Sequence, residues 1–100
     1  MKALKNFFLE TFGTFPAYVT VAIPTGYTAT HVMIYGSGTG AVEVWEHQIN
    51  SKTGVSKGTG NVDTEINITD VISDTNNYLL IQVAVGSDEI HGGYVTIAAV

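Results

Sequence analysis

"NYLLIQVAVG", residues 77–86, sets Leu79, Ile81, Val83 and Val85 opposite Tyr78, Gln82 and Ala84. Apolar side chains at every second position line one face of an extended strand, whereas a helix would need them at i, i+3 and i+4. The same rhythm runs outward from this segment in both directions. "AYVTVAIP", residues 17–24, puts Val19, Val21 and Ile23 on one face with Tyr18 and Thr20 on the other, and Pro24-Thr25-Gly26 supplies turn chemistry behind it. "TATHVMIYG", residues 28–36, sets Val32 and Ile34 against His31, Met33 and Tyr35, and "AVEVWEHQI", residues 41–49, sets Val42 and Val44 against Glu43, Trp45 and His47. In "TEINITDVI", residues 64–72, Ile66 and Ile68 alternate with polar neighbours; in "GGYVTIAAV", residues 92–100, Val95 and Ile97 oppose Tyr94 and Thr96.

Six strands are therefore expected, most of them separated by turns at intervals of about 8 to 12 residues, which is the spacing of an antiparallel sandwich or small barrel. "NSKTGVSKGTGN", residues 50–61, reads as a polar Gly/Ser/Lys loop. No βαβ rhythm and no internal repeat is present. The fold class is all-β: a single antiparallel β-sandwich, jelly-roll or immunoglobulin-like, over residues 17–100, preceded by an N-terminal apolar arm or short helix over residues 1–16.

That leading segment holds every phenylalanine of the chain, Phe7, Phe8, Phe12 and Phe15. With Leu4 they follow a helical stripe that Gly13 could stop, although Phe8, Glu10 and Phe12 also alternate as an extended arm would. A helix this short is unstable alone in water, so either form needs an apolar receiver, in its own sandwich or in a neighbouring subunit. Leu4, Phe7, Phe8, Phe12 and Phe15 are accordingly the candidate assembly interface. Uncharged strand edges, "YVTIAAV" at residues 94–100 among them, could add backbone pairing with a neighbour.

Composition narrows the partners. One hundred residues suit one domain, and charged residues make up 13% of them, about half the usual share of roughly 25%. The net charge is −5, the four cations are all lysines, and acidic residues number nine, a poor balance for nucleic acid, which is gripped through clustered Arg and Lys. Cysteine is absent, which removes disulfides, zinc-thiolate sites and thiol nucleophiles. Asn6, Glu10 and Thr11 interrupt the apolar run that a secretory leader requires, and no stretch approaches the roughly 18 apolar residues of a membrane span. Synthesis and folding in the cytoplasm are expected, with no membrane partner.

Motifs for chemistry are weak. "YGSGTGA", residues 35–41, lacks the Lys of a phosphate loop and leads into a strand, so it is a turn. His31, His47 and His91 lack metal-ligand spacing; Asp63, Glu65, Asp70 and Asp74 offer hard oxygens for calcium but no EF-hand order, and Asp70 and Asp74 read better as turn residues. No cofactor or metal is expected, and with no nucleophile elbow or other catalytic constellation, neither is enzymatic activity. Glu43, Trp45 and His47 share one face of a strand, and an indole flanked by polar groups suits stacking on a sugar ring; they are the candidate ligand-binding residues, with glycans as the ligand. Packing under the long loop or in a subunit contact would equally account for Trp45.

The closing half, "INITDVISDTNNYLLIQVAVGSDEIHGGYVTIAAV", residues 66–100, resembles the end of jelly-roll-like sandwiches, with a strand ending in "TD", a short turn, a long apolar strand and a returning strand. It is similar in this to carbohydrate-binding modules and to the small decoration proteins of tailed-phage capsids. The cysteine-free acidic sandwich with an apolar arm is closer to the second group. The resemblance implies a structural protein on the outer surface of a virion assembled in the host cytoplasm, partnered by copies of itself or other capsid subunits. The alternative it implies is a carbohydrate-binding module using Trp45.

Overall fold

Valine and isoleucine at alternate positions build strands because a branched side chain packs well on a pleated surface with one face covered. The structure, a computed structural model, describes residues 2–11, 16–37, 40–84 and 89–100, with side chains of the first segment described to Phe7. Within these residues lie eight strands: β1 (Lys2–Thr11), β2 (Ala17–Val21), β3 (Tyr27–Gly36), β4 (Ala41–Gln48), β5 (Gly54–Asn61), β6 (Ile66–Ile72), β7 (Asn77–Val83) and β8 (Ile90–Ala99). They form two four-stranded antiparallel sheets, sheet 1 in the order β1-β8-β3-β6 and sheet 2 in the order β2-β7-β4-β5. The molecule's shortest dimension, 19 Å, suits two layers with centres about 10 Å apart, so the all-β architecture is sandwich-like.

The pairing has a simple rule. β1 lies beside β8, β2 beside β7, β3 beside β6 and β4 beside β5, so the chain is a long double ribbon folded back at the β4–β5 turn. Wrapping that ribbon adds the pairs β3–β8 and β4–β7. Every connection except β4–β5 therefore passes from one sheet to the other.

The apolar residues expected to face inward do so. Val32, Ile34, Val44, Leu79, Ile81, Val83 and Val95 are wholly buried, Val21, Val42, Ile66, Ile68 and Ile97 nearly so, and no charged or polar residue is buried among the described residues. Val85 lies outside the described residues. The turn at Pro24–Tyr27 closes through Tyr27 N–H donating to the Pro24 carbonyl, 3.1 Å, with Gly26 at φ 87°, as a type II turn requires.

Three expectations are corrected. Residues 2–11 form strand β1, not a helix, because β8 offers them a full ladder from Lys2 opposite Ala98 to Thr11 opposite Ile90; no described residue is helical. The expected loop at 50–61 contains strand β5, whose inner positions are Gly58 and Gly60, opposite Val44 and Val42. A side chain there would strike Ile68 or Ile66, so β6 fills the space that β5 leaves and no apolar alternation marks the strand. Finally, "YVTIAAV" is not an edge: β8 is hydrogen-bonded to β1 on one side and β3 on the other.

Two irregularities aim side chains. An extra residue in β3 between Ala29 and His31, relative to β8, lets Ala29 and Val32 both face the core and turns His31 out to a half-exposed position. In β8, Gly92 at φ 147° accompanies register shifts on both flanks; L-residues with side chains seldom adopt that angle. At Gly93 a Cβ would collide with the carbonyl oxygen of Met33. Gly93→Ala should lower the unfolding free energy by about 3 kcal/mol, since backbone cannot yield as a side chain can, whereas Thr59→Ala on the exposed face of β5 should stay within about 0.5 kcal/mol. Urea titration of both variants measures the difference.

Candidate functional site

Two outer faces remain once the inner ones are buried. On sheet 2, register rather than sequence proximity assembles the candidate ligand-binding residues. Glu43 lies between Gln82 of β7 and Thr59 of β5, Trp45 between Leu80 and Ser56, and His47 between Tyr78 and Gly54; β2 extends the first two rows with Tyr18 and Thr20. Because Val42 and Val44 point inward, Glu43, Trp45 and His47 share the opposite side, as expected, and each is half-buried.

Their environments differ. The His47 imidazole stacks on Tyr78, ring centroids 5.7 Å apart and planes 26° from parallel, and lies over Gly54, where a Cβ would strike the ring. The Glu43 carboxylate accepts a hydrogen bond from Ser56 Oγ at 2.7 Å, which leaves acceptor capacity on an ionised group with two oxygens. Beside it, toward the end of the sheet, an open concavity of about 410 Å³ is lined by Glu43, Gln82, Thr59, Asn61, Ala41 and Ala84, among others. Gln82, Thr59 and Tyr78 were not singled out from sequence. Alternation places Tyr78 and Gln82 on the outer face of β7, whereas Thr59 lies in the segment that reads as a loop, and only cross-strand register shows what each of them meets.

One carboxylate of β4 faces the other way. Glu46, on the inner side at the end of sheet 2, takes Lys57 Nζ at 3.5 Å and the Asn77 side-chain amide at 2.9 Å. Lys57 is the extra residue of the irregularity between Val44 and Trp45, which frees it to reach across. These groups close that end of the core with satisfied charge.

The outer face of sheet 1 is different in kind. Its two central rows, Leu4–Thr96–His31–Asn67 and Asn6–Tyr94–Met33, contain no Lys, and the one carboxylate that joins them, at the β6 end, is Glu65. Leu4 and Ile72 are 58% and 61% exposed and Tyr35 is 47% exposed; Tyr35 and Tyr94 meet with ring centroids 6.1 Å apart. Tyr94 Oη donates to Glu65 at 2.8 Å, and that bond keeps the phenol protonated beyond its ordinary range.

The candidate assembly residues separate. Leu4 points outward from sheet 1, while Phe7, opposite Gly93, is half-buried against the protein's own core. An extended backbone sends positions 4 and 7 to opposite faces, so the helical stripe joining them does not form. Phe8 belongs to β1 with its side chain outside the described atoms, and Phe12 and Phe15 lie outside the described residues.

The histidines His31, His47 and His91 sit on the outer face of sheet 1, the outer face of sheet 2 and the far part of β8, and no group of three potential metal ligands occurs among the described residues. Three of the four candidate calcium carboxylates, Asp63, Glu65 and Asp74, are engaged in turns and contacts of their own. Asp63, at φ 62°, accepts from the Gly36 N–H at 3.2 Å, and Glu65 is held by Tyr94. Asp74 Oδ1 accepts from the N–H groups of Asn76 and Asn77, both at 2.7 Å, while Asn77 Oδ1 accepts the N–H of Asp74 at 3.0 Å. Those donors, Asn76 foremost and then Asn77 and the Gln48 amide, hold the Asp74 carboxyl below its ordinary 3.8.

A carboxyl depressed in the folded state adds stability above its unfolded pKa and loses it as pH falls through the folded value. Asp74→Asn keeps an acceptor oxygen but removes the charge, so the melting-temperature gap between the original protein and this variant should be widest at neutral pH and should close below about pH 4. Thermal melts from pH 7 to pH 2 test the sign.

Compared with known proteins, the chain matches no family model, no curated protein and no solved structure.

Proposed function

We propose that this protein is a structural subunit of a virus particle or a comparable symmetric shell, a decoration protein carried on the outer surface and built as a jelly roll. The observation that carries the reading is the pairing scheme. Eight strands folded as a double ribbon into the sheets β1-β8-β3-β6 and β2-β7-β4-β5 fit the two-Greek-key jelly roll, an architecture used by viral capsid domains and by lectins. Architecture alone does not assign a function, so the surface must support the reading as well.

Sheet 1 supplies that support. An outer face whose central rows carry no lysine and one carboxylate, Glu65, already bonded to Tyr94, and on which Leu4, Ile72 and Tyr35 are exposed, loses little solvation when covered. Depletion of charge with enrichment of aromatics marks the centre of protein interfaces. Strand β1 forms one margin of this face and a free edge of the sheet. It is the docking element: Leu4 contributes from its outer side, and Phe7 anchors it to its own core. Its exposed lysines, Lys2 and Lys5, discourage indiscriminate strand addition along that edge.

Deleting β1 would also unpair β8, so point substitutions are the cleaner test. The full chain is expected to run as a symmetric oligomer in light scattering, and the double variant Leu4→Asp/Tyr35→Asp as a monomer with an unchanged fold, because exposed positions typically cost within about 0.5 kcal/mol of stability. A full chain that stays monomeric up to about 0.1 mM, a concentration that would reveal even a modest dimerisation constant, would overturn self-assembly through this face.

A further inference from the structure

We infer that the outer face of sheet 2 is a binding platform for a neutral oligosaccharide, with one sugar ring set against Trp45 and its hydroxyl groups directed to Glu43, Gln82 and Thr59. The inference does not rest on the assembly reading, since these residues belong to the sheet opposite the proposed docking face.

The chemistry of the face selects the ligand. Its three rows, Tyr18–Gln82–Glu43–Thr59, Thr20–Leu80–Trp45–Ser56 and Tyr78–His47–Gly54, contain one formal charge, the Glu43 carboxylate, and no Lys. The nearest lysine in β5, Lys57, is turned inward to Glu46. A phosphate or carboxylate ligand would meet a negative charge with no cation to offset it. A polyol meets complementary groups instead: a carboxylate that accepts, an amide that both donates and accepts, and a hydroxyl. The indole presents an apolar surface for the C–H face of a pyranose.

Shape agrees with this. The concavity beside Glu43 measures about 410 Å³, within the roughly 300–1,000 Å³ of small-ligand sites, and it is open to solvent rather than enclosed, as an oligomeric ligand longer than the site requires. Trp45 stands two residues from Glu43 on the same face of β4, so a ring in the concavity and a ring over the indole can belong to one chain. An extended peptide is a poorer occupant, because strand addition needs a free edge and Glu43, Trp45 and Gln82 lie on the inner strands β4 and β7, Thr59 alone of the named groups standing on the edge strand β5. The His47 ring, stacked on Tyr78, occupies the row beyond Trp45, away from the concavity.

Trp45 is the only tryptophan of the chain, so its emission reports on this one face. Titrating the full-length protein with cellohexaose, maltohexaose and N-acetylchitohexaose, each to about 10 mM to cover the weak end of affinity, should give a saturable change in emission with at least one of them. Glu43→Ala and Gln82→Ala should each weaken that binding about tenfold, the loss expected when a polar partner is removed from a hydrogen-bonded ligand. Thr59→Arg, which fills the concavity from an exposed position, should abolish it at an unchanged melting temperature. No saturable change with any of the three sugars would overturn the inference. So would binding indifferent to all three substitutions, or a response confined to a sulfated heparin hexasaccharide.

Discussion

The pairing of each strand with the strand equally distant from the other end of the chain is the constraint on which the rest of this structure depends. It places Lys2 opposite Ala98 and the β4–β5 turn at the midpoint. Once β1 to β4 and β5 to β8 are joined as a ribbon, only wrapping can bury their apolar rows, and wrapping brings β8 against β3 and β7 against β4. The two inner strands of each sheet are then paired on both sides, and the free edges fall to β1, β6, β2 and β5. Contacts of this kind are distant in sequence, so loop closure must precede most of the stabilisation, a topology that folds slowly.

Close approach within that wrap explains the glycines and the irregularities. β8 is threaded between two partners, and at Gly93 the Met33 carbonyl leaves no room for a Cβ. At the other corner the isoleucines of β6 occupy what would be the side-chain space of Gly58 and Gly60, so one strand packs on behalf of another. The extra residue at Thr30 acts in the opposite sense. It keeps an apolar inner row while delivering His31 to the surface, where Thr30 Oγ1 lies 2.8 Å from its Nδ1. An uninterrupted alternation from Ala29 would have sent the imidazole into a core that holds no other polar group among the described residues.

The two outer faces divide the proposed roles between them. Sheet 1 offers a partly apolar surface on which the charges of Lys2 and Glu65 stand at the margins, and its centre loses little solvation when another subunit covers it. Sheet 2 offers an indole, a stacked imidazole and phenol, and a carboxylate beside a concavity, groups that stay effective in water because their partners are directional. A net charge of −5 with four lysines serves both roles by keeping polyanions away. Charge that does approach the core is matched, as at Glu46 with Lys57 and Asn77.

Alternation by itself determined the inner rows of β2, β4 and β7 and the inner pairs Val32/Ile34, Ile66/Ile68 and Val95/Ile97, because a pleated strand offers only two faces and water decides between them. Ala29, Val71 and Ile90, out of step with those pairs, are instead buried across register shifts. Alternation therefore also determined that Glu43, Trp45 and His47 share a face, and Pro24-Thr25-Gly26 announced its turn through the backbone angles those residues favour. Strand β5 was hidden because its inner positions are glycines whose space is filled from another strand. Strand β1 was hidden because its spacing fits a helix and a strand alike, and only the waiting edge of β8 chose between them. Tertiary structure alone decided that Gln82 and Thr59 flank Glu43, that Leu4 and Phe7 part to opposite faces, and that the C-terminal strand is enclosed. Each of these depends on register and strand order, which are set by contacts between residues far apart in the chain and leave no trace in local periodicity.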